Sequence, residues 1–248
     1  MGRLTWVVLA LAAMVGCRPA PSEARAQAPV DPDTARATVV LLHGLGRTEW
    51  SMVPMARALE SAGYRTVNLG YPSRDHTVST LAETLAAELA RCCAGADTLH
   101  FVTHSLGGIL VRIWAHETGP ANLGRVVMLS PPNQGSGIVD RLPDRLLRLV
   151  LGPASLQLGT DSGSVPVRLP PVEFELGVIT GDATLNPLFS SWLAGEDDGL
   201  VAVESAWVEG ADDFLVVPYT HTFIMHRSRV MEEVITFLET GRFREEDP

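Results

Sequence analysis

The chain has 248 residues, 46% of them hydrophobic, with Lys+Arg 19 against Asp+Glu 29 and a formal net charge of -10. Size and composition fit one folded domain and exclude disorder throughout. The acidic balance, the lack of any dense basic stretch and the 6% aromatic content argue against a nucleic-acid partner, which needs clustered Lys or Arg and repeated stacking surfaces.

Met1 to Arg3 is short and basic, the stretch 4–15 is almost unbroken apolar sequence, and Gly16-Cys17 closes it. The run is shorter than the roughly 20 residues a membrane-spanning helix needs and has the length of a signal-peptide core, so export is expected. Met14-Val15-Gly16-Cys17 resembles a bacterial lipobox, which would place lipid on Cys17 and attach the protein to a membrane of the cell envelope. Cleavage at Ala24-Arg25-Ala26 would instead release a secreted protein. Residues 18–36 are rich in Pro, Ala and Asp with no apolar period, the composition of a tether. Folding is expected from about Ala37. Beyond Cys17 only Cys92 and Cys93 remain, and adjacent cysteines are expected to stay structural thiols because bridging them strains the peptide between them.

Continuous apolar runs at 38–42, 98–103 and 125–130 read as strands covered on both faces, with further strands at 64–69, 173–180 and 213–217 and a short element at 200–203. Helical spacing falls between them at 50–62, 78–90, 107–115 and 228–238. Strand and helix alternation of this kind predicts a three-layer α/β domain, a mostly parallel sheet of about six strands with helices on both faces. Ligands then belong at the carboxyl ends of the strands. The rhythm breaks across 133–171, where one short helix over 142–151 is expected and where the insertion could cap a site.

Ser105 sits between the strand at 98–103 and the helix at 107–115, followed by Gly107 and Gly108. A serine on a sharp strand-to-helix turn stands above the sheet, and the tightness of that turn demands small neighbours. Asp198 and then His221 follow, in the chain order Ser, Asp, His that one solution to the catalytic-triad problem uses. A serine hydroxyl is a poor nucleophile until a neutral imidazole takes its proton, and a buried carboxylate sets that imidazole's tautomer. The backbone N–H groups of Leu45, after the first strand, and Leu106, after the serine, are the candidate oxyanion donors.

His43-Gly44-Leu45-Gly46, Thr103-His104-Ser105-Leu106-Gly107-Gly108, Asp198-Gly199-Leu200-Val201 and the late His221 together resemble the α/β-hydrolases, and within them bacterial lipases and esterases. The resemblance spans about Val39 to Leu238. It implies a minimal lipase-like core, carboxylic ester or lipid substrates, no organic cofactor, and triad roles for Ser105, Asp198 and His221 with Leu45 and Leu106 as oxyanion donors. Thr103 departs from the glycine usual at that place, and no room is left for the family's two leading antiparallel strands. The acyl group is expected against Leu45, Trp50, Met52 and the insertion. Asp197 beside Asp198 offers too few oxygens for calcium, and no zinc spacing exists, so no metal is expected.

Other residues compete for these roles. Asp197 would serve if the register slipped by one, though a solvated place suits it better, and Asp182 is a further alternative acid. His226 and His104 are expected to be structural, and His43 either supports the oxyanion loop or is an ordinary loop residue. The chain is expected to act as a monomer. The same triad could cleave amides, thioesters or polyesters or transfer acyl groups, and a binding protein on an idle hydrolase fold is the reading of another class. Because an imidazolium cannot accept the serine proton, activity is expected to be poor below about pH 5.

Overall fold

The computed structural model describes residues 36–244. The leader at 1–17, its Cys17 and all of the tether but Arg36 lie outside the described residues. Among the described residues no helix is long and apolar enough to cross a membrane.

Six strands make one sheet: β1 Arg36–Leu42, β2 Tyr64–Leu69, β3 Leu99–His104, β4 Leu123–Leu129, β5 Leu176–Gly181 and β6 Asp213–Val217. Their order is β2-β1-β3-β4-β5-β6, and every neighbouring pair is parallel. The α-helices are α1 Val53–Ser61, α2 Val78–Cys92, α3 Leu106–Thr118, α4 Gly137–Arg141, α5 Asp144–Leu151, α6 Val165–Arg168, α7 Pro187–Ser190, α8 Val203–Ala206 and α9 Ser228–Thr240.

Alternate strand residues serve opposite layers. Val40, Leu42, Phe101, Val126 and Met128 pack with Leu81, Leu85 and Leu89 of α2 and Ile109 and Ile113 of α3. Val39, Leu41, Val102, Val127 and Leu129 pack with Met55 and Leu59 of α1 and Val230, Val234 and Phe237 of α9. Both faces are thus covered, which is why these strands read as unbroken apolar runs. Each large side chain buried this way contributes about 1.5–3 kcal/mol relative to exposure. The chain enters at β1, adds β2 on one side and crosses to β3 on the other, so the carboxyl ends of β1 and β3 flank the switch point where such sheets bind ligands.

Several expected elements differ in detail. The helix expected over 50–62 is a 3-10 turn, Glu49–Met52, followed by α1, because Pro54 in the first turn has no N–H to continue an earlier helix. The short element at 200–203 is a loop leading into α8, in which Leu200 and Val201 donate their N–H groups to the Asp198 carboxylate, and a single bridge joins Asp197 to Ala202. The one helix expected within the insertion is two, α4 and α5, because Pro143 forces Leu142 into extended backbone at φ -91, ψ 141. Cys92 and Cys93 form a vicinal disulfide instead of separate thiols; Cys93 has left helical geometry, at φ -130, ψ 9, at the end of α2.

One buried side chain ties the insertion to the sheet. Arg112 of α3 donates from Nη1 to Asn133 O and Oδ1, both at 3.2 Å, and from Nη2 to Leu169 O at 3.3 Å and Pro170 O at 3.1 Å. It therefore holds both ends of 133–171. Burial lowers its pKa from 12.5 to about 10, so the guanidinium stays charged and is compensated by carbonyl oxygens alone.

Candidate active site

β3 ends at His104 and α3 starts at Leu106, leaving Ser105 to make the whole turn at φ 52, ψ -120. A non-glycine residue at positive φ costs on the order of 1–3 kcal/mol and persists only where its surroundings impose it. They do so here: Ser105 N donates to Leu129 O at 2.9 Å, and Gly108 N donates to Ser105 O at 3.0 Å. A Cβ on Gly107 would lie 2.9 Å from Leu42 O, and one on Gly108 would lie 3.0 Å from Met128 Sδ and 3.3 Å from Thr103 Oγ1. The clearance that Gly108 leaves is what accommodates Thr103 where a glycine is usual.

His221 begins the 3-10 turn His221–His226 that follows β6, and its Nδ1 lies 2.8 Å from Asp198 Oδ2, both side chains being buried. Asp198 Oδ1 is occupied by Leu200 N at 3.0 Å and Val201 N at 2.8 Å, and His221 N donates to Asp198 O at 2.9 Å. The carboxylate is thus aimed at the imidazole. An Nδ1–H donated to Asp198 leaves Nε2 as the basic nitrogen. Ser105 and His221 line one cavity, although no hydrogen bond joins Ser105 Oγ to the imidazole; such contacts tighten when substrate binds.

The alternative residues fall elsewhere. Asp197 is buried and not solvated, accepting from Ser190 Oγ at 2.5 Å and Gly199 N at 2.8 Å. It fixes the loop that carries Asp198. Asp182 and His226 are exposed, the latter with Nε2 2.9 Å from Ser51 O. His104 is buried, with Nε2 3.0 Å from His221 O and its ring 4.8 Å from that of His221. A carbonyl can only accept, so Nε2 carries the proton. Burial, reinforced by the nearby His221 and Arg47, pulls the His104 pKa well below its ordinary value. This neutral ring props the backbone of His221.

The loop after β1 is fastened by several hydrogen bonds and one ring contact. His43 stacks on Tyr71 at 4.1 Å, takes Tyr71 N–H on Nε2 at 3.3 Å, and accepts Tyr71 OH on its carbonyl at 2.5 Å. Gly46 N donates to Ser73 Oγ at 3.1 Å, Arg47 N donates to Gly44 O at 3.2 Å, and Arg47 Nη2 donates to Thr222 O at 3.1 Å. Leu45 N has no acceptor among the described residues, and Leu106 N, opening α3, has no intrahelical one. Burial lowers the His43 pKa to about 4, outweighing its backbone contacts. Tyr71, Ser73 and Arg47 were not singled out from the sequence.

The cavity is about 90 Å³ and is walled by Leu45, Arg47, Ser105 and His221 on the sheet side and by Ile138, Val139, Leu147, Leu151 and Leu158 of the insertion. Of the expected acyl contacts, Leu45 and the insertion line the cavity, whereas Trp50 and Met52 do not. Trp50 is 51% exposed, and Met52 is fully buried in the layer beneath α1 and α9. The Glu49–Met52 turn packs against the end of β2, where Asn68 Nδ2 donates to Glu49 O at 2.9 Å, and against the His221–His226 turn, with His226 Nε2 2.9 Å from Ser51 O, and neither Trp50 nor Met52 reaches the cavity wall.

The chain belongs to the alpha/beta hydrolase family, whose profile matches residues 39–241. Among solved structures it is similar to the mature form of a Bacillus licheniformis lipase, with 20% identity over 85% of this chain and 96% of that one and a TM-score of 0.65. It is also similar to a metagenomic carboxyl esterase, at 21% identity, 82% and 69% coverage and a TM-score of 0.60. A structure from work on two metagenome-derived lipolytic enzymes matches at 16% identity, with 83% and 94% coverage and a TM-score of 0.60. At these identities the likeness establishes the fold. No curated protein matches the sequence.

Proposed function

We propose that this protein hydrolyses carboxylic esters through an acyl-serine intermediate, with Ser105 as nucleophile, His221 as base and then acid, and Asp198 as the carboxylate that orients it. The observation that carries this reading is the 2.8 Å Asp198–His221 pair opening on the same cavity as a serine held at φ 52. His221 Nε2 takes the Ser105 proton as Oγ attacks the ester carbonyl. The oxygen that becomes negative is received by the N–H groups of Leu45 and Leu106, each worth about 3 kcal/mol in such holes. The imidazolium then protonates the leaving alcohol, and water repeats the sequence to free the acid. The neighbours named as a lipase, a carboxyl esterase and lipolytic enzymes support the same class.

A cavity of about 90 Å³ with apolar walls suits a short acyl chain beneath the insertion. Long-chain lipase activity would require the insertion to move. Labelling of Ser105 by a fluorophosphonate, absent in Ser105→Ala, tests the enzyme against a non-catalytic binding protein. If the folded protein is not labelled at neutral pH, the reading fails. A p-nitrophenyl ester series from acetyl to palmitoyl should peak at the short end; a palmitoyl optimum would favour the lipase.

We also propose export, with Cys17 lipidated, on the strength of the leader sequence. Cys17→Ser should move the protein from the membrane fraction to the soluble one, and unchanged partition would count against lipidation.

A further inference from the structure

The cavity wall contains one permanently charged side chain, Arg47. Its guanidinium is half-buried, and among the described residues its hydrogen bond to Thr222 O is its sole side-chain contact with an acceptor. No carboxylate pairs with it among the described residues. Glu49, two positions along, has its carboxylate against Gly70, where a Cβ would lie 2.6 Å from Glu49 Oε2. Burial pulls the Arg47 pKa below its ordinary value with no acid to offset the shift. A guanidinium offers five N–H donors in a fork that matches carboxylate and phosphate oxygens. One is used on Thr222, and the others, none of them a buried unpartnered atom, remain open to a ligand that enters the cavity.

Its position indicates which half of the substrate it meets. Thr222 directly follows His221, the group that hands a proton to the departing alcohol in the reaction proposed above, on which this inference rests. Ile138, Val139, Leu147 and Leu151, on the insertion, supply an apolar wall suited to the acyl chain. We propose that Arg47 recognises an oxyanion on the alcohol portion of the substrate, a phosphate or a carboxylate close to the scissile ester. The preferred substrates are then short-chain acyl esters of anionic alcohols, and neutral glycerides are poorer ones. Charge-assisted pairing with phosphate or carboxylate adds both attraction and orientation. An alcohol lacking the anion leaves the guanidinium unpaired, which is how a polar site rejects an analogue.

Three esters with one acyl group test this: butanoylglycerol, butanoylglycerate and butanoylglycerol phosphate, assayed with wild type, Arg47→Gln and Arg47→Lys. Wild type should favour at least one anionic ester over the neutral one by about tenfold or more in kcat/KM, and whichever anion is favoured identifies the source. The ratio of anionic to neutral ester should collapse toward unity in Arg47→Gln, survive in large part in Arg47→Lys, and shrink in high salt for wild type. A structural role in holding the His221 loop would lower all three esters together and leave the ratio intact, which overturns the proposal. A wild-type preference for butanoylglycerol overturns it too. If wild type cleaves none of the three and Ser105 is not labelled by a fluorophosphonate, the ester-hydrolase reading itself has failed, and this inference falls with it. Labelling of Ser105 without cleavage of any of the three esters overturns the Arg47 assignment alone.

Discussion

The rim of the sheet and the insertion above it are built on different principles. At the rim, the 43–47 loop is pinned to Tyr71, Ser73 and Thr222 by backbone and side-chain hydrogen bonds, and Ser105 N is held by Leu129 O. The insertion has short helices, a small apolar cluster of Ile138, Leu142 and Leu147 packed with Phe189 of α7, and one guanidinium clasping its two ends. The first region is over-determined and suits chemistry that needs fixed donors. The second is held to the body by separate contacts, Val78 N donating to Gln157 Oε1 and Ser136 Oγ donating to Leu200 O besides the Arg112 clasp, and by Ala154 and Leu158 in the core.

The largest separation between the two regions should come from the rim's reacting groups. Ser105→Ala and Asp198→Asn are expected to lower kcat/KM by about 10⁴-fold or more, while urea midpoints change little for Ser105→Ala. Comparable loss of activity from any insertion variant that still folds would erase the distinction. Next in size is Arg112→Met, which strands Asn133 O, Leu169 O and Pro170 O and should cost about 3 kcal/mol or more. Limited proteolysis should then cut first within 133–171. First cleavage elsewhere would show that Arg112 does not clasp the insertion.

A third test uses acid against the rim. His43 has its pKa lowered by burial from 6.5 to about 4, and His104 is lowered further in the same direction. Between these values the unfolded chain binds protons that the folded chain does not, so stability rises with pH through that window and is lost as pH falls. The His43 shift alone amounts to about 3 kcal/mol. Urea unfolding should show a clear loss between about pH 6.5 and about pH 4, reduced in His104→Gln; a level profile would contradict the buried neutral histidines. The smallest effect is expected at Leu149, 75% exposed on α5, where Leu149→Ser should stay within about 0.5 kcal/mol of wild type in thermal unfolding. A larger loss would mean that the insertion is packed as tightly as the rim.

Locally encoded features were legible in the chain itself. Doubly covered strands announce themselves as apolar runs, and a serine followed by two glycines between strand and helix can be read as a tight turn because the constraint acts within a few residues. Where burial and packing decide a residue's place, the reading missed. Trp50 and Met52 lie near Leu45 in sequence but do not line the cavity, and Asp197 is buried, accepting from Ser190 Oγ and Gly199 N, rather than solvated. The vicinal pairing of Cys92 and Cys93 depended on where α2 lost its helical geometry.

By itself, the order of residues along this chain determined a parallel α/β sheet and the succession of a serine, an acid and a histidine at strand ends, since periodicity and turn chemistry are local. Only the folded arrangement decided that Asp198 meets His221, that Tyr71 braces His43, that Arg112 closes the insertion and that Arg47 enters the cavity. Each of those contacts joins segments that strand order alone brings together, and the energy of a buried polar contact depends on what surrounds it, which no single stretch of sequence contains.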